Sequence, residues 1–317
     1  MTKPDELPPL TTVELPDGTR LPLRALRAEP VDGAPAPGGP APDAPTPGGP
    51  APAVLILPAM GTPARFYRAF ARELHAAGLT AVTVDLRGQG EATPHITDPR
   101  CRDHGYRTLV EQDFPAVVEA VRKELGADAP LFLLGHSLGG QLALVHAALG
   151  IGPGVDGVAL VACGSVWFRA YGWRRGPRLL LGEAAIAGLA TLLGRWPGKR
   201  FGFGGDQAKG VMRDWARQGR TGRYGAKGSA LDYEAALAAL DLPVLAVSVE
   251  HDRLAPPGAL AHLVGKAPHA RVTRHRYTSE EAGGRLDHFA WARSGGALAR
   301  RVADWAGAAA PAAPTAP

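Results

Sequence analysis

Residues 131–140 read LFLLGHSLGG, and QLALVHAALG follows directly. A run of apolar residues thus enters a serine enclosed by glycines and leaves it as a helix-forming segment. A buried strand that bends at once into a helix is the building step of a layered α/β architecture. The bend itself needs a reason. Glycines on either side let the chain approach itself where a Cβ would clash. Such a turn lifts the Ser137 side chain above the strand ends. Gly135-His136-Ser137-Leu138-Gly139 fits G-x-S-x-G in the strand–turn–helix setting that the pattern requires. A phosphate-binding loop would carry a lysine after its glycines, or G-x-G-x-x-G spacing. Neither is present.

The same β–α rhythm runs through much of the 317-residue chain. Strands are expected over 54–57, 79–85, 131–136, 155–162, 243–249 and 270–277. Helices are expected over 64–78, 105–126, 138–150, 256–266 and 289–306. Pro115 either kinks the second of these or starts its regular part. The strands are rich in Val, Leu and Ile, which predicts a mostly parallel sheet covered on both faces. Residues 12–29 alternate around Pro-Asp-Gly and predict a hairpin at one edge. Residues 33–53 repeat Pro, Gly and Ala, have almost nothing to bury, and are expected to be a disordered insertion. Residues 307–317 are expected to be a disordered tail. Residues 165–240 break the rhythm with helical pieces and almost no strand pattern. They are too long for a connection and predict a helical lid. The core is then 1–164 with 241–306.

A serine hydroxyl needs a base, and the base needs an acid to hold its tautomer. On a sheet of this kind the acid and then the histidine follow the serine. Asp252 lies just past the strand at 243–249, with Glu250 as the fallback acid. His288 lies after the last strand. His275 reads as a surface position, and His251 precedes the acid. An oxyanion hole needs two N–H donors. Leu138, directly after the serine, supplies one, and Met60 in LPAMGT supplies the other. Asp85, Arg87 and Asp113 read as structural.

Together GHSLGG at 135–140, DLRGQG at 85–90, HDRLAPP at 251–257 and DHF at 287–289 resemble the α/β-hydrolase fold family. Within it they resemble the serine aminopeptidase-like and monoacylglycerol-lipase-like hydrolases. The resemblance covers about 54–165 and 241–306. It implies a serine hydrolase that opens an ester or related acyl bond, with no cofactor and no metal. Acyl transfer, amide hydrolysis and cofactor-free haloperoxidase chemistry use the same fold. One departure matters. Family members often carry His-Gly before the oxyanion donor, and here Pro58-Ala59 stand there. The loop must be held another way, or the protein is a binding protein with an impaired hole.

Charge is distributed unevenly. Residues 165–240 hold 13 Lys or Arg against 5 Asp or Glu, a net +8 in a chain of net +5. That field suits an anionic or lipid-like acyl substrate, with an anionic membrane surface as the less favoured partner. No nucleic-acid fold signature accompanies it. Aromatic residues at 167–173 and the apolar run at 178–193 give the lid its own core or line an acyl pocket. No run of about 18 uninterrupted apolar residues predicts a membrane span. Two cysteines and no apolar leader fit a reduced, cytoplasmic setting.

Overall fold

A computed structural model describes residues 6–29 and 50–310. The N-terminal hairpin joins β1 (Pro9–Glu14) to β2 (Arg20–Leu26) as an antiparallel pair. Strand β2 buries every second residue, so Leu21, Leu23 and Ala25 face the core. Strand β3 (Ala53–Leu57), helix α1 (Arg68–Ala76) and strand β4 (Thr80–Val84) follow. Next come a one-turn helix α2 (Tyr106–Thr108), helix α3 (Phe114–Leu125), strand β5 (Leu131–His136), helix α4 (Leu138–Leu149) and strand β6 (Gly157–Val161). Pro115 sits in the first turn of α3, where its missing N–H costs nothing, directly after a π-helical turn over Leu109–Asp113.

After β6 the chain leaves the sheet. It forms the 22-residue helix α5 (Gly172–Leu193), strand β7 (Arg195–Pro197), short helix α6 (Gly198–Phe201), strand β8 (Asp206–Ala208) and helix α7 (Lys209–Thr221). Helix α8 (Tyr233–Ala239) returns it to strand β9 (Pro243–Val249), helix α9 (Pro257–Val264), strand β10 (Arg271–Tyr277) and helix α10 (Gly296–Ala309). The inserted helical region therefore also contains an antiparallel ribbon, β7 with β8. At three residues each, these strands are too short to show a period in sequence.

The main sheet has the order β1-β2-β4-β3-β5-β6-β9-β10. Every pairing from β4 to β10 is parallel, and only the hairpin edge is antiparallel. Strands β3, β4, β5 and β6 are buried at every residue, which is why they read as continuous apolar runs. Helices α1 and α10 cover one face through Phe70, Leu74, Leu298 and Val302, with Trp291 between them. Helices α3, α4, α8 and α9 cover the other, where Trp196, Met212 and Trp215 of the insertion join the same core. The chain crosses from β4 past β3 to β5, so the sheet switches direction between β3 and β5. A crevice at such a switch point is where parallel sheets bind ligands.

Two expectations need adjustment, and a third lies mostly outside the described residues. The Pro/Gly/Ala insertion at 33–53 falls outside the described residues up to 49. Residues 307–309 are helical as the end of α10, while 311–317 lie outside the described residues. Phe168–Leu193 is long and apolar enough to cross a membrane by length and composition, which charges in its first turns conceal in the sequence. It packs here on α7 and buries Gly176, Glu183 and Ala190.

Candidate active site

The bend after β5 carries Ser137 at φ 52° and ψ −118°, a backbone conformation that L-residues avoid. Packing enforces it. A Cβ on Gly135 would lie 2.2 Å from the Gly140 Cα, and one on Gly139 would lie 2.3 Å from the Leu57 carbonyl oxygen. The second contact shows that the bend abuts the loop leaving β3. The Cys163 thiol, at the end of β6, donates to the Ser137 carbonyl at 3.1 Å. Helix α4 begins at Leu138, so the Leu138 N–H has no intrahelical acceptor.

The loop after β3 turns tightly over Ala59–Thr62, closed by the Thr62 N–H donating to the Ala59 carbonyl at 3.0 Å. Among the described residues the Met60 N–H has no hydrogen-bond partner. Pro58-Ala59 leave the loop without an imidazole, and Tyr67 replaces it. The Ala59 N–H donates to the Tyr67 hydroxyl at 2.9 Å, and that hydroxyl shares a 2.7 Å hydrogen bond with His136 Nδ1. Both side chains are fully buried. Burial pushes the His136 imidazole well below its usual range, so it is neutral. Sequence reasoning passed over this pair. Tyr67 is an ordinary aromatic at helical spacing, and only the tertiary fold brings it under Ala59.

The candidate acid, Asp252, lies in the loop after β9, directly after His251, which takes φ 60°. Asp252 Oδ1 accepts from the N–H groups of Leu254 at 2.8 Å and Ala255 at 2.9 Å. The His288 Nδ1–H donates to Asp252 Oδ2 at 2.8 Å. The Asp252 carboxylate is thereby fully engaged and its side chain is closed to solvent. The fallback acid Glu250 turns away and accepts from the Ser279 N–H at 2.8 Å. His251 is exposed, and His275 lies 3.4 Å from Glu281 on the edge strand.

The His288 ring lies 4.8 Å, centroid to centroid, from the ring of His136, the residue before Ser137. Among the described residues neither Ser137 Oγ nor His288 Nε2 has a hydrogen-bond partner, so both remain free to engage a substrate or each other. Catalytic hydrogen bonds commonly tighten only when substrate binds.

Asp85, Arg87 and Asp113 hold loops. Asp85 accepts from the N–H groups of Ala64 at 2.6 Å and Glu91 at 2.8 Å. Arg87 forms a bidentate pair with Asp113 at 2.9 and 2.6 Å and also binds Asp17 of the hairpin.

The chain matches the family described as alpha/beta hydrolase fold over residues 52–289. Its fold is similar to a soluble variant of monoglyceride lipase from Saccharomyces cerevisiae, with a TM-score of 0.64 at 15% identity, covering 96% of this chain and 97% of that one. It is also similar to an esterase from Exiguobacterium antarcticum, with a TM-score of 0.57 at 14% identity, covering 93% and 98%. A third similar structure is an enol-lactonase from Burkholderia xenovorans, with a TM-score of 0.55 at 17% identity, covering 93% and 99%. No curated protein matches the chain.

Proposed function

The chain belongs to the alpha/beta hydrolase fold family, and we propose that this serine hydrolase cleaves an ester or related acyl bond of a small acyl substrate through an acyl-enzyme on Ser137. The observation that carries the residue roles is the 2.8 Å His288–Asp252 hydrogen bond, formed across 36 residues of chain beside a strained serine. In the proposed sequence His288 takes the Ser137 proton as Oγ attacks the carbonyl. The same proton passes to the leaving group. Asp252 fixes the imidazole tautomer and stabilises its cation. The N–H groups of Met60 and Leu138 receive the oxyanion. His288 then draws a proton from water, which releases the acid and restores the serine. The Tyr67 anchor on Ala59 weighs against an impaired hole, because it holds the donor loop without the missing histidine.

Within the family we infer the serine aminopeptidase-like or monoacylglycerol-lipase-like group, on the strength of GHSLGG, HDRLAPP and DHF. A lipid-like acyl substrate is supported by the outer face of α5. Trp173, Leu181 and Leu192 are 81%, 71% and 84% exposed there, beside the exposed Arg174, Arg175 and Arg178.

Fluorophosphonate labelling and p-nitrophenyl ester turnover test the mechanism. The wild type labels and turns over. Ser137→Ala neither labels nor retains turnover, a loss on the order of 10⁶-fold where chemistry limits. Asp252→Asn loses roughly 10⁴-fold by favouring the wrong tautomer. A variant that keeps a large share of wild-type activity removes its residue from the mechanism.

A further inference from the structure

Among the described residues, seven buried side-chain atoms lack a hydrogen-bond partner, and four of them belong to one neighbourhood. They are both carboxyl oxygens of Glu183, the Gln218 amide nitrogen and the Tyr106 hydroxyl. Each of the three residues is 1% exposed. Glu183 is the one acidic residue of α5 and is turned inward. Its carboxyl lies directly on the backbone of α7, since a Cβ on Gly219 would come within 1.9 Å of Glu183 Oε2. Gln218 is the next residue along that helix. Tyr106 is tied to α7 as well, through its N–H to Asp214 Oδ2 at 2.8 Å, and its phenol lies within electrostatic reach of Glu183.

One phenol links the neighbourhood to the candidate acid. Tyr171 lies within electrostatic reach of both Glu183 and Asp252, and it donates to the Leu254 carbonyl at 2.7 Å, two residues beyond Asp252. Buried polar groups left unmatched are costly, and native folds keep few of them. Burial pushes the Glu183 carboxyl up to about 8, so the group is mostly a neutral acid at pH 7.

We propose that Glu183, Gln218 and Tyr106 form a polar subsite that takes a hydroxyl group carried by the substrate away from its scissile carbonyl. The assignment rests on the acyl-bond hydrolysis proposed above. The atoms left open choose the ligand chemistry. Gln218 Oε1 already accepts the Val166 N–H at 3.0 Å, so Gln218 offers only donors. An ammonium group has no lone pair to receive them. A carboxylate or phosphate dianion accepts from the neutral Glu183 O–H and from the amide, but it has no proton for the second Glu183 oxygen. A hydroxyl accepts from the amide and donates to the carboxyl at once. An alkyl chain satisfies none of the three.

The test compares p-nitrophenyl esters of ω-hydroxy acids with their unsubstituted counterparts across a range of chain lengths. Wild type, Glu183→Leu and Gln218→Leu are measured, and Ser137 labelling checks that each is folded. The ratio of kcat/KM for hydroxy over alkyl ester is read within each protein, so changes in overall rate cancel. At a matching chain length the wild-type ratio is about tenfold or more, because a site built for a hydroxyl rejects the analogue lacking it. Both variants lose or invert the ratio. Glu183→Leu also melts higher than wild type, since an unmatched buried acid is gone. If one variant fails to fold, the other carries the same expectation. A wild type that turns over esters with no hydroxyl preference at any length overturns the subsite and leaves the hydrolase reading standing. So does a preference that survives either substitution. A folded wild type that neither labels nor cleaves any ester sinks the acyl-bond reading and the subsite with it.

Discussion

Tyr67 is where residue-level chemistry departs from the family pattern that the sequence suggests. With Pro58-Ala59 before Met60, the proposed oxyanion donor, the turn lacks its usual pin, and a phenol reaching up from the segment before α1 supplies one. Removing only that oxygen tests the idea. Tyr67→Phe leaves the Ala59 N–H buried and unmatched, a cost of about 1–3 kcal/mol. It also loosens the Met60 donor, and a misplacement of about 1 Å costs up to roughly 10²-fold in rate. The expected result is a kcat lowered by about one to two powers of ten with KM little changed. A Tyr67→Phe enzyme with wild-type kcat and a merely lower melting temperature would reduce Tyr67 to a packing role. Ser137 itself is paid for in backbone strain at φ 52°, which its glycine neighbours and the Leu57 carbonyl impose by contact.

Among the elements, α5 is apolar on two faces, with Ile186, Leu189 and Ala190 packed against the core and three leucines outside it. Leu181, Leu192 and Leu193 face solvent, while its single carboxylate faces the protein. Arg174, Arg175 and Arg178 crowd its first turns, where the helix dipole disfavours cations. Neither choice serves the stability of the helix, and both fit the lipid-like acyl substrate proposed above. Replacing Leu181 and Leu192 together by Gln is expected to leave hydrolysis of a dissolved short-chain ester unchanged. Hydrolysis of an emulsified long-chain ester falls several-fold, as does binding to vesicles containing anionic lipid. Equal rates on both substrates would mean that the exposed leucines serve no lipid surface.

For the whole molecule, buried titratable groups set how stability responds to pH. Burial holds His104 and His146 down to about 4, and holds His136 well below its usual value. Unfolding frees these imidazoles to bind protons near pH 6.5. The unfolded state therefore binds more protons between those values, and stability falls as pH drops from about 6.5 towards 4. Glu183 acts in the opposite sense. Its carboxyl keeps its proton up to about 8 in the fold but loses it near 4.5 when unfolded, so its contribution falls as pH rises across that range. Urea midpoints are expected to decline on both sides of near-neutral pH, and Glu183→Gln flattens the alkaline decline. An alkaline limb that Glu183→Gln leaves unchanged would assign that decline to other groups. The repeating β–α pattern, the hairpin and the G-x-S-x-G bend were legible in the chain because periodicity and glycine placement are local consequences of sequence. So were Ser137, Asp252 and His288 as candidates, since chain order and strand ends restrict where such groups can stand. The Tyr67–Ala59 anchor, the β7–β8 ribbon and the unmatched group around Glu183 were not. Each depends on which distant residues the fold presses together and shuts away from water, and burial is a property of the packed molecule that no single stretch of chain carries.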